Sequence, residues 1–237
     1  MPLHCLFASD AVTRTSIAQG AQINQIIRQS ETTKSLEIGF AYGFSTVWIL
    51  DALRSRLNSL HVAIDPFEIT LYGGIGLQQI KRLNAAVGFE WVAERSIHAL
   101  SRLIKSEAKF DFIFIDGNHR FDDVLVDFYL SDQLVSRGGL MVFDDMWMPS
   151  IRTVANFILT NRQYKIVSQP VENMLVLNKL ADDNRDWCHF ESFKISNPKR
   201  GRVASAVRQA VLQVSRITGT EGTLRQIQSR YQSKSKF

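Results

Sequence analysis

The sequence predicts a doubly wound α/β domain with a mainly parallel sheet, and three observations lead to that fold class. Short apolar runs alternate with segments of helical periodicity between about residues 35 and 180. The strongest run, FDFIFID at residues 110–116, is apolar on both faces, as are strands that helices cover on both sides. Acidic residues follow several of these runs, at the edge where open parallel sheets bind their ligands.

Each predicted strand is a short apolar run, and each predicted helix carries apolar residues three or four positions apart. The predicted strands cover residues 35–39, 60–65, 89–93, 110–116, 140–143, 164–167 and 174–177. The predicted helices cover residues 17–28, 44–57, 75–87, 97–106, 121–135 and 151–160. Gly138 and Gly139 are expected to break the chain before the fifth strand. The last two strands are close enough in sequence to pair as an antiparallel hairpin.

The 237 residues suit one sizeable domain with accessory segments. We expect a helical segment at 1–34, the main domain at 35–190 and a basic tail at 191–237. Residues 199–237 contain nine Lys/Arg and one Glu, a net charge of +8, whereas residues 1–198 carry −3. The basic character therefore belongs to the tail, and nucleic acid is not an expected partner of the mildly acidic body.

Valines at helical spacing (Val203, Val207, Val211 and Val214) predict that part of the tail is a basic amphipathic helix. Three roles stay open for it: a packing or dimerisation arm, which is favoured, a contact with an anionic surface, or a partly disordered segment. The N-terminal helix is the other candidate for a homo-oligomer contact. The two cysteines show no metal or redox spacing, and no apolar run approaches the ~20 residues of a membrane span. With no leader pattern at the start, we expect a cytoplasmic protein.

Five carboxylates lie at or near the ends of four predicted strands. They are Glu37, Asp65, Asp116, Asp144 and Asp145. Because the carboxyl ends of parallel strands meet at one edge of a sheet, we expect these side chains around one crevice. Such a crevice suits polyhydroxyl, amine or metal ligands.

The first strand leads into the segment EIGFAYGFS at residues 37–45. Gly39 and Gly43 allow a tight turn and a close approach of the backbone to a ligand. Asp65, at the end of the next strand, suits hydrogen bonds to the hydroxyls of a ribose. Nucleoside binding is favoured over a purely structural turn, although the fuller glycine fingerprint of an NAD-dependent oxidoreductase is absent.

Asp116, Asp144 and Asp145 together offer three hard oxygen ligands, which favours Mg²⁺ or a similar divalent cation. A helix cap or a lysine pair is the alternative for any one of them. His119, three residues beyond Asp116, is a candidate general base, with a structural histidine as the alternative. Tyr72, Gly73 and Gly74 are candidates for a lid over the bound nucleoside cofactor. Trp147 and Met148 are candidates for the pocket of the second substrate, although core packing is equally expected for Trp147.

At these residues the chain resembles the class I S-adenosylmethionine (SAM)-dependent methyltransferases. More narrowly, it resembles the macrocin O-methyltransferase-like group, whose metal site is similar to that of catechol O-methyltransferases. The stretches that carry the resemblance are LEIGFAYGFSTVWIL, VAIDPF, YGGIGLQQIKRL, FDFIFIDGNHRFDDVLVDF and RGGLMVFDDM. The resemblance implies a Rossmann-like, seven-stranded sheet whose last strand is antiparallel, in agreement with the predicted hairpin.

The resemblance also implies a role for each candidate site residue. It implies SAM contacts at Glu37, Gly39, Ala41, Tyr42, Gly43, Ser45, Asp65, Ser96 and Asp116. It implies metal ligands at Asp116, Asp144 and Asp145. His119 is then the general base, and Asp116 counts as a second catalytic residue.

The expected activity is methyl transfer from SAM to a hydroxyl group of a small molecule or sugar, assisted by a divalent metal. A nucleic-acid methyltransferase that uses the basic tail is one alternative, and an NAD-dependent oxidoreductase on a related fold is another. A non-catalytic scaffold is a third, but it would be expected to lose the aspartate cluster. The acceptor itself stays open, because specificity resides in loops.

Overall fold

The computed structural model describes residues 15–83, 87–168 and 173–196, and that part of the chain contains six helices and seven strands. The helices are α1 (Ile17–Gln29), α2 (Phe44–Leu53), α3 (Ile75–Leu83), α4 (Ser96–Lys105), α5 (Phe121–Leu134) and α6 (Pro149–Asn161). The strands are β1 (Lys34–Ile38), β2 (Leu60–Ile64), β3 (Gly88–Val92), β4 (Phe110–Ile115), β5 (Val135–Phe143), β6 (Tyr164–Ser168) and β7 (Leu175–Lys179). The helix predicted after residue 198 lies outside the described residues.

All seven strands form one sheet in the order β3-β2-β1-β4-β5-β7-β6. The first five are parallel to their neighbours, and β7 is antiparallel to both β5 and β6. The predicted fold class and its reversed last strand are thus confirmed. The chain winds outward in opposite directions from β1 and β4, so the crevice at the carboxyl ends of these two strands is the expected ligand site.

Helices cover both faces of the sheet because alternate strand residues point to opposite sides. On one face, Leu36 and Ile113 pack in a core with residues of α4, α5 and α6. On the other face, Phe112 and Phe114 pack with residues of α1, α2 and α3. The central strands are apolar on both sides for this reason, as the run FDFIFID at residues 110–116 indicated.

The largest boundary difference concerns β5, which begins at Val135 and not after the two glycines. The pairing of β4 with β5 jumps from Val135 to Leu140, and Gly138 has a φ of 81°. The glycines therefore form an irregularity within β5, and regular pairing starts at Leu140 as predicted. Likewise α2 ends at Leu53, four residues before the predicted end.

The predicted N-terminal helix exists, and α1 packs firmly on α2. Ile23 and Ile27 have no exposed surface. A Cβ atom at Gly20 would lie 2.2 Å from Nε1 of Trp48, so only glycine allows the two helices to approach this closely. Asn24 then donates hydrogen bonds to the Trp48 carbonyl (2.9 Å) and to Oδ2 of Asp51 (3.0 Å).

After β7 the chain runs along α6 without forming a helix or a strand as far as residue 196. Asn156 and Asn161 of α6 donate hydrogen bonds to the carbonyls of Lys194 (2.6 Å) and Glu191 (2.9 Å). The predicted tail at 191–237 is thus attached to the main domain at its first residues. Within the described residues, no helix combines the length and the apolar character that a membrane span requires.

Candidate active site

The turn that joins β1 to α2 lies at the crevice, and its backbone conformation depends on glycine. Gly39 has a φ of 95° and Gly43, which caps α2, a φ of 73°. A Cβ atom at Gly39 would lie 2.1 Å from the carbonyl oxygen of Asp116. The turn therefore lies directly against the end of β4. Ala41, between the glycines, also has a positive φ, of 44°.

Asp65 holds this turn from the neighbouring strand. Its Oδ2 accepts hydrogen bonds from the backbone amides of Phe40 (3.1 Å) and Ala41 (2.8 Å), and its Oδ1 accepts one from Phe67 (2.7 Å). Its position beside the glycine turn is the predicted one. The contact with a ribose stays a prediction, and the structure adds the support of the turn as a second role.

Glu37 is completely buried beneath the turn. Its carboxylate accepts hydrogen bonds from the hydroxyls of Ser45 and Thr46 in the first turn of α2, and Nε2 of His61 lies 3.3 Å away. Ser45 is itself almost fully buried. Glu37 and Ser45 are thus hydrogen-bonded to each other within the described structure, and their contact with SAM stays a prediction.

The predicted lid at Tyr72, Gly73 and Gly74 contacts the glycine turn between β1 and α2. The rings of Tyr42 and Tyr72 are in edge-to-face contact, with centroids 5.1 Å apart. Glu68 holds this segment from the inside: it is fully buried and accepts hydrogen bonds from the amides of Gly74 (2.9 Å) and Leu77 (2.8 Å). Burial raises the pKa of Glu68 above its ordinary value despite these bonds.

Ser96 opens α4, as predicted, and faces α5. Its hydroxyl is hydrogen-bonded to the carboxyl group of Asp127, a buried residue of α5. Burial raises the pKa of Asp127 to about 6, although the bond to Ser96 opposes this shift. A Cβ atom at Gly117 would lie 3.7 Å from Oδ2 of Asp127. Asp127 therefore lies next to both Ser96 and the end of β4.

Asp116, His119 and Asp145 form the chemical centre of the crevice. One ligand atom from each lies within 4.8 Å of the others. Nε2 of His119 is 3.0 Å from Oδ2 of Asp145 and 3.6 Å from Oδ1 of Asp116, which are ion-pair distances. The three side chains are 19–30% exposed, although Nε2 of His119 itself has almost no exposed surface.

The charges of this cluster depend on each other. Burial raises the pKa of Asp116 to about 6, and the nearby Asp145 and Glu37 add to this effect against His119. Burial lowers the pKa of His119, but its contacts with Asp116 and Asp145 outweigh that effect and raise it to about 9. These pKa values favour an imidazolium at His119 and an ionised carboxylate at Asp116 at neutral pH.

Asp144 is close to this cluster but points elsewhere. Its Oδ1 accepts hydrogen bonds from Nε2 of Gln19 (2.6 Å) and from the amide of Asp145 (2.7 Å). Burial and the charges of Asp116 and Asp145 raise its pKa well above the ordinary value. Of the three predicted metal ligands, the structure thus brings together Asp116 and Asp145, with His119 in the place expected for Asp144.

The loop after β5 surrounds the cluster. Nε1 of Trp147 donates a hydrogen bond to Oδ1 of Asp145 (2.7 Å), and Ser150 donates one to the carbonyl of His119 (2.7 Å). The indole of Trp147 is only partly buried. Trp147 thus contacts the cluster, whereas Met148 packs against the hydrophobic core. The acceptor pocket at these two residues stays a prediction.

Sequence reasoning missed Gln19, Glu68 and Asp127 as site residues. Gln19 and Asp127 belong to helices, and their partners are set by how those helices pack. The capping-box pattern Ser16-x-x-Gln19 marks the start of α1 but does not indicate which residue the glutamine contacts. Glu68 lies in a loop, where its burial could not be foreseen.

Comparison with known proteins gives two kinds of match. Residues 36–146 match a family model that describes a methyltransferase domain. An uncharacterized protein of Acanthamoeba polyphaga mimivirus is 39% identical over 57 residues, which cover 22% of this chain and 26% of that protein. The chain thus spans about a quarter of the length of this curated relative.

Several solved structures share the fold. The O-methyltransferase from Bacillus cereus in complex with SAH has a TM-score of 0.63 at 20% identity, covering 75% of this chain and 90% of that one. The O-methyltransferase TomG from Streptomyces achromogenes, involved in tomaymycin synthesis and in complex with SAM, has a TM-score of 0.59 at 18% identity, with coverages of 71% and 82%. A SAH-bound methyltransferase from Podospora anserina has a TM-score of 0.60 at 18% identity, with coverages of 76% and 85%.

Proposed function

Since the chain carries a methyltransferase domain of the class I fold, as its motifs predicted, we propose that it transfers a methyl group from SAM to a hydroxyl group of a small molecule or sugar. The observation that carries this proposal is the convergence of Asp116, His119 and Asp145 beside the glycine turn. A methyl donor in the crevice between β1 and β4 would lie next to groups that can bind a hydroxyl and take its proton.

The cofactor pocket is proposed from the groups at the strand ends. The turn at Gly39 and Gly43 passes directly over the end of β4, and Asp65, which accepts the amides of this turn, is the proposed partner of the ribose hydroxyls. Ser96 is the proposed contact of the adenine. The O-methyltransferases of Bacillus cereus and Streptomyces achromogenes share this fold and are in complex with SAH and SAM respectively, which supports the choice of SAM.

A divalent cation, Mg²⁺ or similar, is the proposed second cofactor, with Asp116 and Asp145 as its ligands and Asp144 as a third candidate. The donor set suits it, because carboxylate oxygens are what hard cations prefer. The acids also lie close together: burial is the largest cause of the raised pKa values of Asp116 and Asp144, and the nearby charge of Asp145 adds to both. When bound, SAM supplies an electrophilic methyl group, and the cation supplies a Lewis acid that lowers the pKa of the hydroxyl.

The chain's own residues orient the acceptor and handle its proton. Asp145 is held by a hydrogen bond from Trp147, whose partly buried ring is the proposed surface for the acceptor. His119 is the group placed to accept the proton, and it is protonated at neutral pH because its pKa is raised to about 9. The neutral ring, which can accept a proton, is favoured once another positive charge compensates Asp116 and Asp145. Nε2 of His119 faces both carboxylates and has almost no exposed surface, so it would take the proton only from a hydroxyl held at those carboxylates.

Calorimetry separates this proposal from its alternatives. SAM should bind to the wild-type chain, whereas NAD and a short oligonucleotide should not. Tight binding of NAD would favour the oxidoreductase, and tight binding of the oligonucleotide would favour a nucleic-acid methyltransferase.

The metal is tested separately by methyl transfer in excess chelator and by Asp145→Asn, with the exposed Glu31→Gln as the control. We expect activity to be lost with chelator and in Asp145→Asn, and to be retained in Glu31→Gln. Equal turnover in excess chelator would overturn the role of the metal and leave methyl transfer intact.

A further inference from the structure

We propose that Gln19 is a positioning residue of the active site, through which helix α1 holds Asp144 and Asp145 in place. This inference rests on the proposed function, which makes the acid cluster an active site. Gln19 lies 125 positions before Asp144, and a hydrogen bond of 2.6 Å joins their side chains. Both residues are buried, so water does not compete effectively for this bond.

The amide of Gln19 can adopt only one orientation in this environment. Its Oε1 accepts a hydrogen bond from the backbone amide of Ser16 (2.8 Å), which turns Nε2 toward Asp144. The reversed amide would place an oxygen against the carboxylate and an NH₂ group against an N–H, and both contacts are repulsive. The backbone amide of Gln19 also donates to Oγ of Ser16 (3.1 Å), which completes the capping box. The start of α1 therefore determines where the donor points.

The contact reaches the acid cluster through one further hydrogen bond. Oδ1 of Asp144, the atom that Gln19 binds, also accepts the amide of Asp145 (2.7 Å). Asp145 has a φ of 54°, a left-handed conformation that costs free energy in any residue with a side chain. In this conformation Oδ2 of Asp145 lies 3.0 Å from Nε2 of His119. Gln19 thus fixes the carboxylate that holds Asp145 in its unusual conformation.

Helix α1 is rigid enough to serve this purpose. The close contact of Gly20 with Trp48 and the hydrogen bonds of Asn24 leave it little freedom to slide along α2. Ile23 and Ile27 lie one and two turns after Gln19 on the same face of α1, and both are buried in the core. A side chain on the first turn of this helix is therefore held as firmly as one on the central sheet.

A purely structural role and a positioning role predict different outcomes for one substitution. In a capping box, glutamate serves as well as glutamine. Gln19→Glu therefore preserves the start of α1 but places a second carboxylate against Asp144. Ser16→Ala is the matched control, because it removes the cap hydroxyl and leaves the side chain of Gln19 able to reach Asp144.

The first measurement compares kcat, KM for SAM and Tm in the wild type and both variants. We expect Gln19→Glu to lower kcat by about 10- to 100-fold, which is typical for the loss of an orienting contact. Its KM for SAM should stay within about twofold, since the cofactor pocket is unchanged. Its Tm should fall, because a buried carboxylate now faces Asp144, so kcat is compared well below the Tm of both variants. Ser16→Ala should lower Tm and keep kcat. A Gln19→Glu variant with wild-type kcat would overturn the proposal.

The second measurement is a pair of crystal structures, of the wild type and of Gln19→Glu, and it does not depend on activity. We expect the side chain of Asp144 to turn away from α1 and the contact between Asp145 and His119 to lengthen or break. An unchanged cluster would overturn the inference. A wild type that methylates no hydroxyl acceptor would instead contradict the proposed function, and the two crystal structures would still decide the role of Gln19.

Discussion

Gly39→Ala is expected to destabilise the protein and to damage the site together, because the turn after β1 passes directly against the end of β4 at Gly39. Two separate effects act there. A φ of 95° is unfavourable for alanine, and the new Cβ atom would lie 2.1 Å from the carbonyl oxygen of Asp116. That oxygen belongs to the backbone, so the overlap can be relieved only if the end of β4 moves.

The magnitude follows from these two contributions. A left-handed conformation costs an alanine about 1–2 kcal/mol, and forcing extra volume into a packed region costs about 1–3 kcal/mol more. Gly138→Ala is the matched control, since Gly138 has a φ of 81° but nothing within 4 Å of the added Cβ atom. The control should therefore lose only about 1–2 kcal/mol. The difference of about 2 kcal/mol corresponds to a Tm lower by about 4–8 °C in Gly39→Ala.

Urea unfolding gives the two free energies of unfolding, and calorimetry gives the affinity for SAM. We expect Gly39→Ala to bind SAM much more weakly than the wild type and Gly138→Ala to bind it normally. Equal losses of stability in both variants, with equal SAM affinity, would refute the close approach of the turn to Asp116.

Three further predictions concern groups around the site and far from it. Asp127→Asn removes a carboxyl group whose pKa is raised from 3.8 to about 6, so ionisation destabilises the folded wild type as the pH rises through that interval. Urea unfolding at pH 4 and pH 7 measures the difference in free energy of unfolding between Asp127→Asn and the wild type. This difference should rise in favour of the variant by up to about 3 kcal/mol over that range. A difference that does not change with pH would contradict the raised pKa of Asp127 as its cause. Glu68→Gln weakens the acceptor for the amides of Gly74 in the lid and Leu77 in α3, so hydrogen exchange should become faster at these two amides while Tm changes little. Equally faster exchange throughout the domain would argue against a local role. Tyr164→Phe removes a buried hydrogen bond to Oδ1 of Asp132 (2.7 Å), and it should cost about 1–3 kcal/mol in urea unfolding without altering methyl transfer, whereas a loss of activity would be unexpected.

The sequence predicted the fold and the location of the site because both follow from periodicity. The position of a strand end is visible in the sequence, and parallel strands bring their carboxyl ends to one edge. Asp65 and Asp116 lie at this edge for that reason. The left-handed glycines were equally visible, because a turn that passes so close to another strand excludes side chains.

The contacts within the site could not be predicted, because they depend on side-chain directions and on helix packing. Asp144 and Asp145 are sequential, and only the left-handed conformation of Asp145 decides which of them faces His119. Likewise the contact of Gln19 with Asp144 depends on how α1 packs on α2. The sequence placed this helix beside or over the domain but could not assign it a partner at the active site.

Methyl-labelled SAM offers the most direct test of the central claim. The wild type is incubated with labelled SAM and a panel of phenols, sugars, amines and a short oligonucleotide, and the product is identified by mass spectrometry. We predict label in a methyl ether of a hydroxyl acceptor, and its loss in Asp116→Asn with the affinity for SAM largely unchanged. Label on an amine or on the oligonucleotide, or undiminished transfer by Asp116→Asn, would contradict the account.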